Sequence, residues 1–499
     1  MSQHADFRSA MLNQRPGHAA IRRRQKAEDE KAAAAGLPPP ASATAESFDA
    51  TAKLIVFSLV AAVLSFVFYL PYNNNQKLMG YGRESVEDVG LENCKKSTGP
   101  AYCDDVHVLS QSGLAFLSCD TAKAVWNPPF GIQNDSLVNA TPRSGEIWVQ
   151  DLRAESSVPK RLEVVGLEGA FHPLGLTSFP EADFKHPIRL LVVNQANTTS
   201  STVELFEVKD TKLVHLRTIA DPGFKNLYRI TADPNQINGD PELPLPSFWV
   251  VQHHRYDLAS QPYRRYLEDT LKQSSASASY YNSVADQVED NIWYLSLPAS
   301  IMVDKTDATK RTVHVAHSGG IDLLRNTLVS TESQFDNIKN ERTGENVRAY
   351  WPSMIYSDNL KAEGYPYGFD IGIFPNDEEP AGSSSTFIAT LPRYFELANI
   401  AKESLESQKV SVKRTATRVY RTMPERRWHS TQLPVNKELI SQPIDNFEDK
   451  TFVAQVQKLI FSNDDGSMFS GATGLGVSDK DKKMILVGAY EQGSLTCTL

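Results

Sequence analysis

Short apolar runs recur along most of the chain after residue 94, and polar turn residues separate them. The segment Leu190–Val208 shows this pattern well, with an apolar run, a linker of turn-forming residues and an alternating run from Thr202. These runs predict β-strands. Further predicted strands are Val106–Leu109, Leu114–Ser118, Glu146–Leu152, Arg161–Val165, Phe248–Gln252, Ile292–Leu297, Thr312–Ala316, Thr386–Leu391 and Phe452–Phe461, with a final meander over Met468–Leu499.

Many short strands at close spacing indicate an all-β sandwich, barrel or propeller. No clean repeat of about 40 to 50 residues selects the propeller from periodicity alone. Three polar stretches interrupt this succession of short strands and turns. We interpret them as loop insertions at residues 260–283, 322–365 and 402–437.

One uncharged apolar stretch precedes the strand-rich region. Leu54–Leu70 is 17 residues long, close to the lower limit for a helix that crosses a bilayer. We predict a transmembrane signal-anchor helix within residues 53–72, and the alternative is a buried core helix. Residues 1–52 are predicted to form a disordered cytosolic tail, 73–93 a polar stem, and 94–499 the β body.

The positive-inside rule hardly distinguishes the two orientations, because few Lys or Arg residues flank the span closely. The cysteines and the glycosylation sequons are more informative, since all of them follow the span: Cys94, Cys103, Cys119, Cys497, Asn134, Asn139 and Asn197. An even number of cysteines on one side of the span is typical of an oxidising compartment. We therefore expect a single-pass membrane protein whose body lies in the secretory lumen, such as the endoplasmic reticulum, or outside the cell.

Cys103 and Cys119 are equidistant from Gln111, the centre of a predicted hairpin, so they are expected to face each other across two strands. Cys94 and Cys497 lie at opposite ends of the β body, where a bond would join its two ends. The alternative is two pairs of free, buried cysteines.

Composition and motifs exclude several function classes. The formal net charge is −9, which argues against nucleic acid as a partner. Gly-x-Ser-x-Gly, His-Glu-x-x-His and Cys-x-x-Cys do not occur in the sequence, so the serine hydrolase, zinc and redox sites that these motifs build are not expected. His253 and His254 follow a predicted strand and either line a channel or lie at an exposed strand end.

Several segments resemble, in the same order, the serum paraoxonase/arylesterase family. They are Asn93–Cys94, Ser112–Phe116, Leu190–Val208, Leu213–Ile219 and Gly471–Leu499. The resemblance implies a six-bladed β-propeller with a disulfide between its ends. It also implies calcium-dependent hydrolysis of small hydrophobic esters or lactones, with one catalytic and one structural calcium in a central channel.

Part of the family's calcium site is kept in this sequence. Its Glu-Asp pair falls on Asp104 and Asp105, and its Asp-Asn pair falls on Asp445 and Asn446. Asp370 is a further oxygen donor if the alignment slips by one residue. These five residues predict calcium, with one site favoured over two.

Other family positions are changed. Leu174 and Gln195 stand where the family has histidines, although His172 lies two residues before Leu174 and on the same face of a strand. Tyr228 and Arg229 replace oxygen ligands. Arg229 either pairs with Asp105 in place of the structural calcium, or the alignment is wrong there.

Two functions are therefore expected. The first is a membrane-anchored hydrolase of carboxylic esters or lactones, in which His172 is the general base. The second is a catalytically lapsed propeller that acts as a lumenal binding or scaffold protein.

Overall fold

The computed structural model of the chain describes residues 26–27, 30–31, 52–61, 80–82, 85, 87–133, 145–154, 158–179, 187–197, 201–237, 245–254, 256, 261, 263–264, 277–293, 298–304, 311–317, 328–333, 338–339, 346–347, 351–354, 365–372, 385–426 and 453–499. The chain divides into two compact units, residues 1–70 and residues 71–499.

In the first unit, residues 52–61 form a helix that contains part of the predicted membrane span. Among the described residues, the structure has no helix that is both long and apolar enough to cross a bilayer. Residues 62–70 of the predicted span lie outside the described residues, so the transmembrane helix stays a prediction.

The second unit is mostly β-structure, as the apolar pattern predicts. Its first two sheets hold 12 strands. One sheet joins β1 (Cys94–Ala101) to three strands near the other end of the sequence, in the order β1-β28-β27-β26. The other has the order β2-β3-β6-β7-β11-β10-β9-β8, which is two groups of four antiparallel strands joined where β7 pairs parallel with β11. The strands of this sheet are β2 (Cys103–Leu109), β3 (Leu114–Asp120), β6 (Gly145–Asp151), β7 (Lys160–Val165), β8 (Pro173–Phe179), β9 (Arg189–Asn194), β10 (Thr202–Lys209) and β11 (Lys212–Ile219).

Three more four-stranded antiparallel sheets follow along the chain. Their strands are β12 (Leu227–Ile237), β13 (Pro246–Gln252), β14 (Ser277–Asn282) and β15 (Gln287–Trp293); β16 (Pro298–Asp304), β17 (Arg311–His317), β18 (Leu328–Ser333) and β21 (Trp351–Met354); and β22 (Tyr365–Gly372), β23 (Ser385–Leu391), β24 (Thr417–Arg426) and β25 (Val453–Asn463). Two short hairpins are β4 (Trp126–Asn127) with β5 (Ile132–Gln133), and β19 (Ile338–Lys339) with β20 (Asn346–Val347). The first sheet is completed by β26 (Gly474–Ser478), β27 (Lys483–Val487) and β28 (Gln492–Thr498).

One edge strand of each four-stranded group, which we call its first strand, contacts the first strand of the next group; in the group that contains β1, this strand is β26. The contacts run from β2 to β8, β12, β16, β22 and β26, and β26 contacts β2 again. This closed ring of first strands makes the body a propeller-like β fold. Gly175 on β8 allows the close approach of β12, since a Cβ atom there would lie 2.6 Å from the Cα of Arg229.

Apolar side chains fill the space between neighbouring sheets. The largest cluster includes Leu174 of β8, Leu191 of β9 and Tyr228 of β12, all buried. The helix Tyr394–Ser407 packs on this cluster through Leu397 and Ile400. The helix contacts β5, and its Tyr394 stacks on Phe130 with ring centres 6.2 Å apart.

The stretches predicted as loop insertions contain regular structure. Strand β14 begins within residues 260–283, β18 and β21 lie within 322–365, and β24 and the end of the helix lie within 402–437. These strands have polar, Ser- and Thr-rich sequences such as Ser277–Asn282. Alternation of apolar residues is therefore too weak there to predict them.

Both predicted disulfides are confirmed: Cys94–Cys497 and Cys103–Cys119. Cys94 and Cys497 are register partners on β1 and β28, and Cys103 and Cys119 are register partners on β2 and β3. The first bond therefore links the two ends of the β body, and the second cross-links the two strands of one hairpin.

Loss of the ring-closing disulfide is expected to cost more stability than loss of the hairpin disulfide, because it closes a loop of 403 residues instead of 16. We expect Cys94→Ser with Cys497→Ser to lower the free energy of unfolding by about 2–5 kcal/mol. Thermal unfolding of the two double variants, compared in parallel, measures the difference. The expectation is contradicted if Cys103→Ser with Cys119→Ser is the less stable protein.

Candidate functional site

Charged side chains meet where β2, β12 and the residue before β26 approach each other. Asp104 and Asp105 lie at the start of β2, and Arg229 lies near the start of β12. Asp104 is fully buried and Arg229 is 2% exposed. Burial of charged groups on this scale requires partners, because unpaired charges lose their hydration.

Asp104 has its partner in Lys123, whose ammonium contacts the Asp104 carboxylate. Both side chains are buried, and lysine is rarely fully buried unless it is paired. Burial raises the pKa of the Asp104 carboxyl, and the charge and hydrogen bond of Lys123 oppose that rise. Lys123 follows β3 in the segment Thr121–Gly131, which we call the central segment.

Arg229 connects three parts of the ring. Its Nη2 donates to the carbonyl oxygens of Asp104, at 2.8 Å, and Thr473, at 2.7 Å. Its Nε lies 3.6 Å from Oδ1 of Asp105, so the predicted ion pair between these residues is confirmed. The guanidinium also lies 4.1 Å from the ring centre of Tyr228. Arg229 therefore neutralises a carboxylate and satisfies two buried carbonyls at once.

Asp105 and Asp370 also connect neighbouring sheets. Oδ2 of Asp105 accepts a hydrogen bond from the backbone N–H of Leu176 on β8, at 3.1 Å. Oδ2 of Asp370, on β22, accepts one from the backbone N–H of Val477 on β26, at 2.6 Å. Each carboxylate thus holds the first strand of one group against the first strand of the next, as is expected for charge-assisted hydrogen bonds in a ring.

A second pair of titratable groups lies beside the first. His172, directly before β8, places its Nδ1 2.8 Å from Oδ2 of Asp120, at the end of β3. The other oxygen of Asp120 accepts the backbone N–H of Ala122, at 2.9 Å, so the carboxylate is held on both sides. Asp120 is close enough to Asp104 for its charge to contribute to the raised pKa of Asp104. The two pairs therefore share one buried region.

The central segment supplies much of the surroundings of His172. The Trp126 ring lies 5.6 Å from the His172 ring, and its Nε1 donates to the carbonyl oxygen of Gln195 at 3.1 Å. The backbone N–H of Gln195 donates to the carbonyl oxygen of His172 at 3.2 Å. Gln195, which stands in place of a family histidine, thus lies next to His172 in the structure.

Aromatic and imidazole side chains continue the buried region toward β13. The ring of Tyr228 lies 5.1 Å from that of His253, which lies 4.5 Å from the ring of His254. Both histidines are 2% exposed, so they line the interior instead of forming an exposed strand end. Burial raises the pKa of the Tyr228 hydroxyl above that of an ordinary phenol.

The described oxygen donors do not fit a calcium ion. Calcium takes six to eight oxygen ligands, with carboxylates among them. Here the Asp104 carboxylate contacts an ammonium, the Asp105 carboxylate and the Asp104 carbonyl face a guanidinium, and Asp370 accepts a backbone N–H. Within the described part of the chain, no group of three or more His, Cys, Asp or Glu residues is arranged to hold a metal ion.

The predicted site residues thus divide into two sets. Asp104, Asp105 and His172 lie in or beside the buried region, while Asp370 serves the junction of β22 and β26. Asp445 and Asn446 lie outside the described residues, so their part in a metal site stays a prediction, as do the sequons at Asn134 and Asn139. Asn197 is exposed, as a glycosylated asparagine must be.

Sequence reasoning missed Lys123 and Asp120. Lys123 is the one charged residue between Ala122 and Trp126, and a lone cation in an apolar stretch is the signal that could have indicated it. Asp120 follows Cys119 directly, at the end of a predicted hairpin strand, where a polar residue is ordinary. No pattern of spacing links Asp120 to His172, 52 residues later.

Removal of the Arg229 guanidinium is expected to destabilise the β body strongly. Arg229→Met leaves Asp105 and two buried carbonyls without this donor, and we expect the free energy of unfolding to fall by about 3–5 kcal/mol. The free energy of unfolding of Arg229→Lys is expected to lie between those of Arg229→Met and wild type. An ammonium keeps the charge but lacks the several fixed N–H donors of a planar guanidinium. Urea denaturation followed by tryptophan fluorescence measures these differences.

The matched control is Arg161→Met, because Arg161 pairs with Glu146 at 2.7 Å but is largely exposed. An exposed pair is worth at most about 1 kcal/mol, so this variant should resemble wild type. Equal stabilities of Arg229→Met and Arg161→Met would contradict the role assigned to Arg229.

Comparison with known proteins gives one family and several distant structures. Residues 124–347 match the family model described as Arylesterase, which confirms the resemblance seen in the sequence. No curated protein matches the chain. The chain is similar to hydrazine synthase of Kuenenia stuttgartiensis at 10% identity, covering 80% of this chain and 83% of that chain with a TM-score of 0.33.

Two other solved structures show a similar degree of likeness. A structure of the mitotic checkpoint complex has 8% identity, covers 84% of this chain and 94% of that chain, and has a TM-score of 0.37. A structure of YjhT has 8% identity, covers 81% of this chain and 94% of that chain, and has a TM-score of 0.35. These likenesses are too distant to add to the description of the fold.

Proposed function

We propose that the protein is a paraoxonase-like hydrolase, because residues 124–347 match the Arylesterase family model. Its proposed substrates are small hydrophobic carboxylic esters or lactones, and its proposed scaffold is a six-bladed β-propeller. The ring of six first strands, each at the edge of a group of four, supports this architecture among the described residues.

The observation that carries the proposal is the buried contact between His172 and Asp120, with Nδ1 and Oδ2 2.8 Å apart. A carboxylate bonded to one imidazole nitrogen fixes the tautomer, so that the proton lies on Nδ1 and the lone pair on Nε2. An imidazole held in this way is a general base with a fixed direction. Asp120 acts through His172 and is a positioning residue.

The proposed reaction uses water as the nucleophile. His172 accepts a proton from water while the water oxygen attacks the ester carbonyl carbon. The bond from that carbon to the alkoxy oxygen then breaks, and the imidazolium returns the proton to the leaving alcohol. The products are a carboxylic acid and an alcohol, or a hydroxy acid from a lactone.

His172 is 1% exposed, and Trp126 of the central segment lies against it. Substrate therefore reaches the imidazole only after a local movement of the groups around it. Such a movement would expose an apolar wall that includes Trp126, which suits an aromatic or aliphatic ester better than a charged one.

Removal of the general base is expected to lower hydrolysis of phenyl acetate and of an aliphatic lactone by about 100-fold or more in kcat/KM. His172→Gln keeps a side chain of similar size, and Asp120→Asn keeps the shape of the carboxylate. If His172 is oriented by Asp120, the Asn variant loses mainly kcat. The measurement is initial rates with the purified full chain.

The matched control is His215→Gln. His215 makes the same kind of contact, with Nε2 2.9 Å from Oε2 of Glu204, but it lies on β11, away from the first strands. The control should hydrolyse both substrates at the wild-type rate. If His172→Gln is folded and as active as the control, His172 is not the base.

We also propose that the protein is membrane-anchored, with residues 1–52 in the cytosol and the β body in the secretory lumen or outside the cell. The two disulfides support an oxidising compartment for the body. The apolar stretch Leu54–Leu70 supports the anchor, and the exposure of Asn197 supports glycosylation there.

Expression in cells with a secretory pathway is expected to give a protein that stays in the membrane fraction after carbonate extraction. Endoglycosidase digestion should lower its mass, and the triple variant Asn134→Gln, Asn139→Gln, Asn197→Gln should not change on digestion. A protein that is extracted by carbonate and unchanged by the enzyme would contradict both the anchor and the compartment.

A second candidate function has its own supporting observation. The buried carboxylate of Asp104 and the partly buried carboxylate of Asp105 are each paired with a cation of the chain, and the described donors do not fit calcium. A propeller with this centre could be catalytically lapsed and act as a lumenal binding or scaffold protein. A folded wild-type protein without activity on either substrate would favour this candidate over the hydrolase.

A further inference from the structure

The oxygen atoms that meet at the starts of β2 and β12 form the kind of group that a hard divalent cation binds. They include the carboxylates of Asp104 and Asp105 and the backbone carbonyls of Asp104 and Thr473. Each of these four groups has an oxygen that faces a nitrogen of Lys123 or Arg229. The side chains of Lys123 and Arg229 therefore supply the positive charge that a bound cation would otherwise bring to these oxygens.

We propose that Lys123 and Arg229 are built-in counter-ions that replace divalent cations at this centre, so that folding and stability of the β body do not depend on calcium. Two formal positive charges from these side chains balance the two carboxylates of Asp104 and Asp105. A cation placed among the same oxygens would meet an ammonium and a guanidinium within a few ångströms, in a region of low dielectric.

Lys123 carries most of this inference. A fully buried ammonium is costly to desolvate, and it is kept only where a negative partner compensates. Its partner is Asp104, whose carboxylate has no exposed surface and cannot be hydrated instead. Lys123 also belongs to the central segment, whose Trp126 lies against His172. The ion pair therefore attaches this segment to β2.

Arg229 adds geometry to the charge. Its planar guanidinium reaches β2 and the residue before β26 from β12, which a spherical ion does through several ligands at once. The three strands belong to three different sheets, so this one side chain joins them. The Arg229 side chain thereby joins the three sheets, as a bound cation with ligands from each sheet would.

The first test is thermal unfolding of the full chain in detergent, with excess EGTA or with millimolar calcium chloride. We expect the two midpoints to agree, because no divalent cation binds the folded protein in preference to the unfolded one. Terbium titration gives a second readout, since Trp126 lies three residues after Lys123 in the central segment and would sensitise an ion bound there. Wild type and Asp104→Asn should give the same luminescence.

The second test is a double-mutant cycle between Lys123 and Asp104. Lys123→Met is expected to lower the unfolding midpoint by several degrees, since it leaves a buried carboxylate unpaired. Adding Asp104→Asn should restore most of that loss, which shows that the lysine acts as a counter-ion. Lys413→Met is the control, because Lys413 pairs with Glu403 on the exposed surface.

A midpoint of wild type that rises by several degrees with calcium, or falls with EGTA, would overturn the inference. So would wild-type terbium luminescence that Asp104→Asn abolishes. If Lys123→Met does not fold, the two wild-type measurements still decide. The inference stands apart from the hydrolase proposal: inactive but calcium-indifferent protein removes only the hydrolase, and calcium-requiring activity removes only the inference.

Discussion

The ion pairs at the starts of β2 and β12 are the constraint on which the rest of the β body depends. A closed ring of strands brings backbone carbonyls and acidic side chains from several sheets toward one another, and these oxygens repel unless positive charge separates them. Lys123 supplies that charge at the carboxylate of Asp104, and Arg229 supplies it at the backbone carbonyl of Asp104. These contacts join the central segment to β2, and they join β12 to β2 and to the residue before β26.

The proposed general base lies beside this charge centre. Nδ1 of His172 contacts Oδ2 of Asp120, and Oδ1 of Asp120 accepts the backbone N–H of Ala122. Asp105 and Asp370, by contrast, accept backbone N–H groups of the next strand. Acidic residues in a ring thus have a structural use that does not need a metal ion.

Much of the fold could be predicted from local patterns, and much of the site could not. The hairpin at Leu190–Val208 is clear in the sequence because its apolar run is buried on both faces of β9, and β9 and β10 pair there as expected. The Ser- and Thr-rich strands β14 and β18 have no such pattern, since their neighbours in the sheet decide their conformation. Spacing also could not link Lys123 to Asp104, because a buried pair depends on contacts that only the closed ring creates.

The strand pairing of β1 with β28 has a consequence for biosynthesis. Cys103 and Cys119 are close in sequence and can join as soon as their hairpin forms, whereas Cys94 waits for a partner 403 residues further on. During that interval Cys94 is a free thiol beside an unfinished sheet edge, while translation proceeds from the N-terminal side. A chain built in this way depends on thiol–disulfide exchange to remove mispaired bonds, so its yield is governed by the oxidising machinery of the cell that makes it.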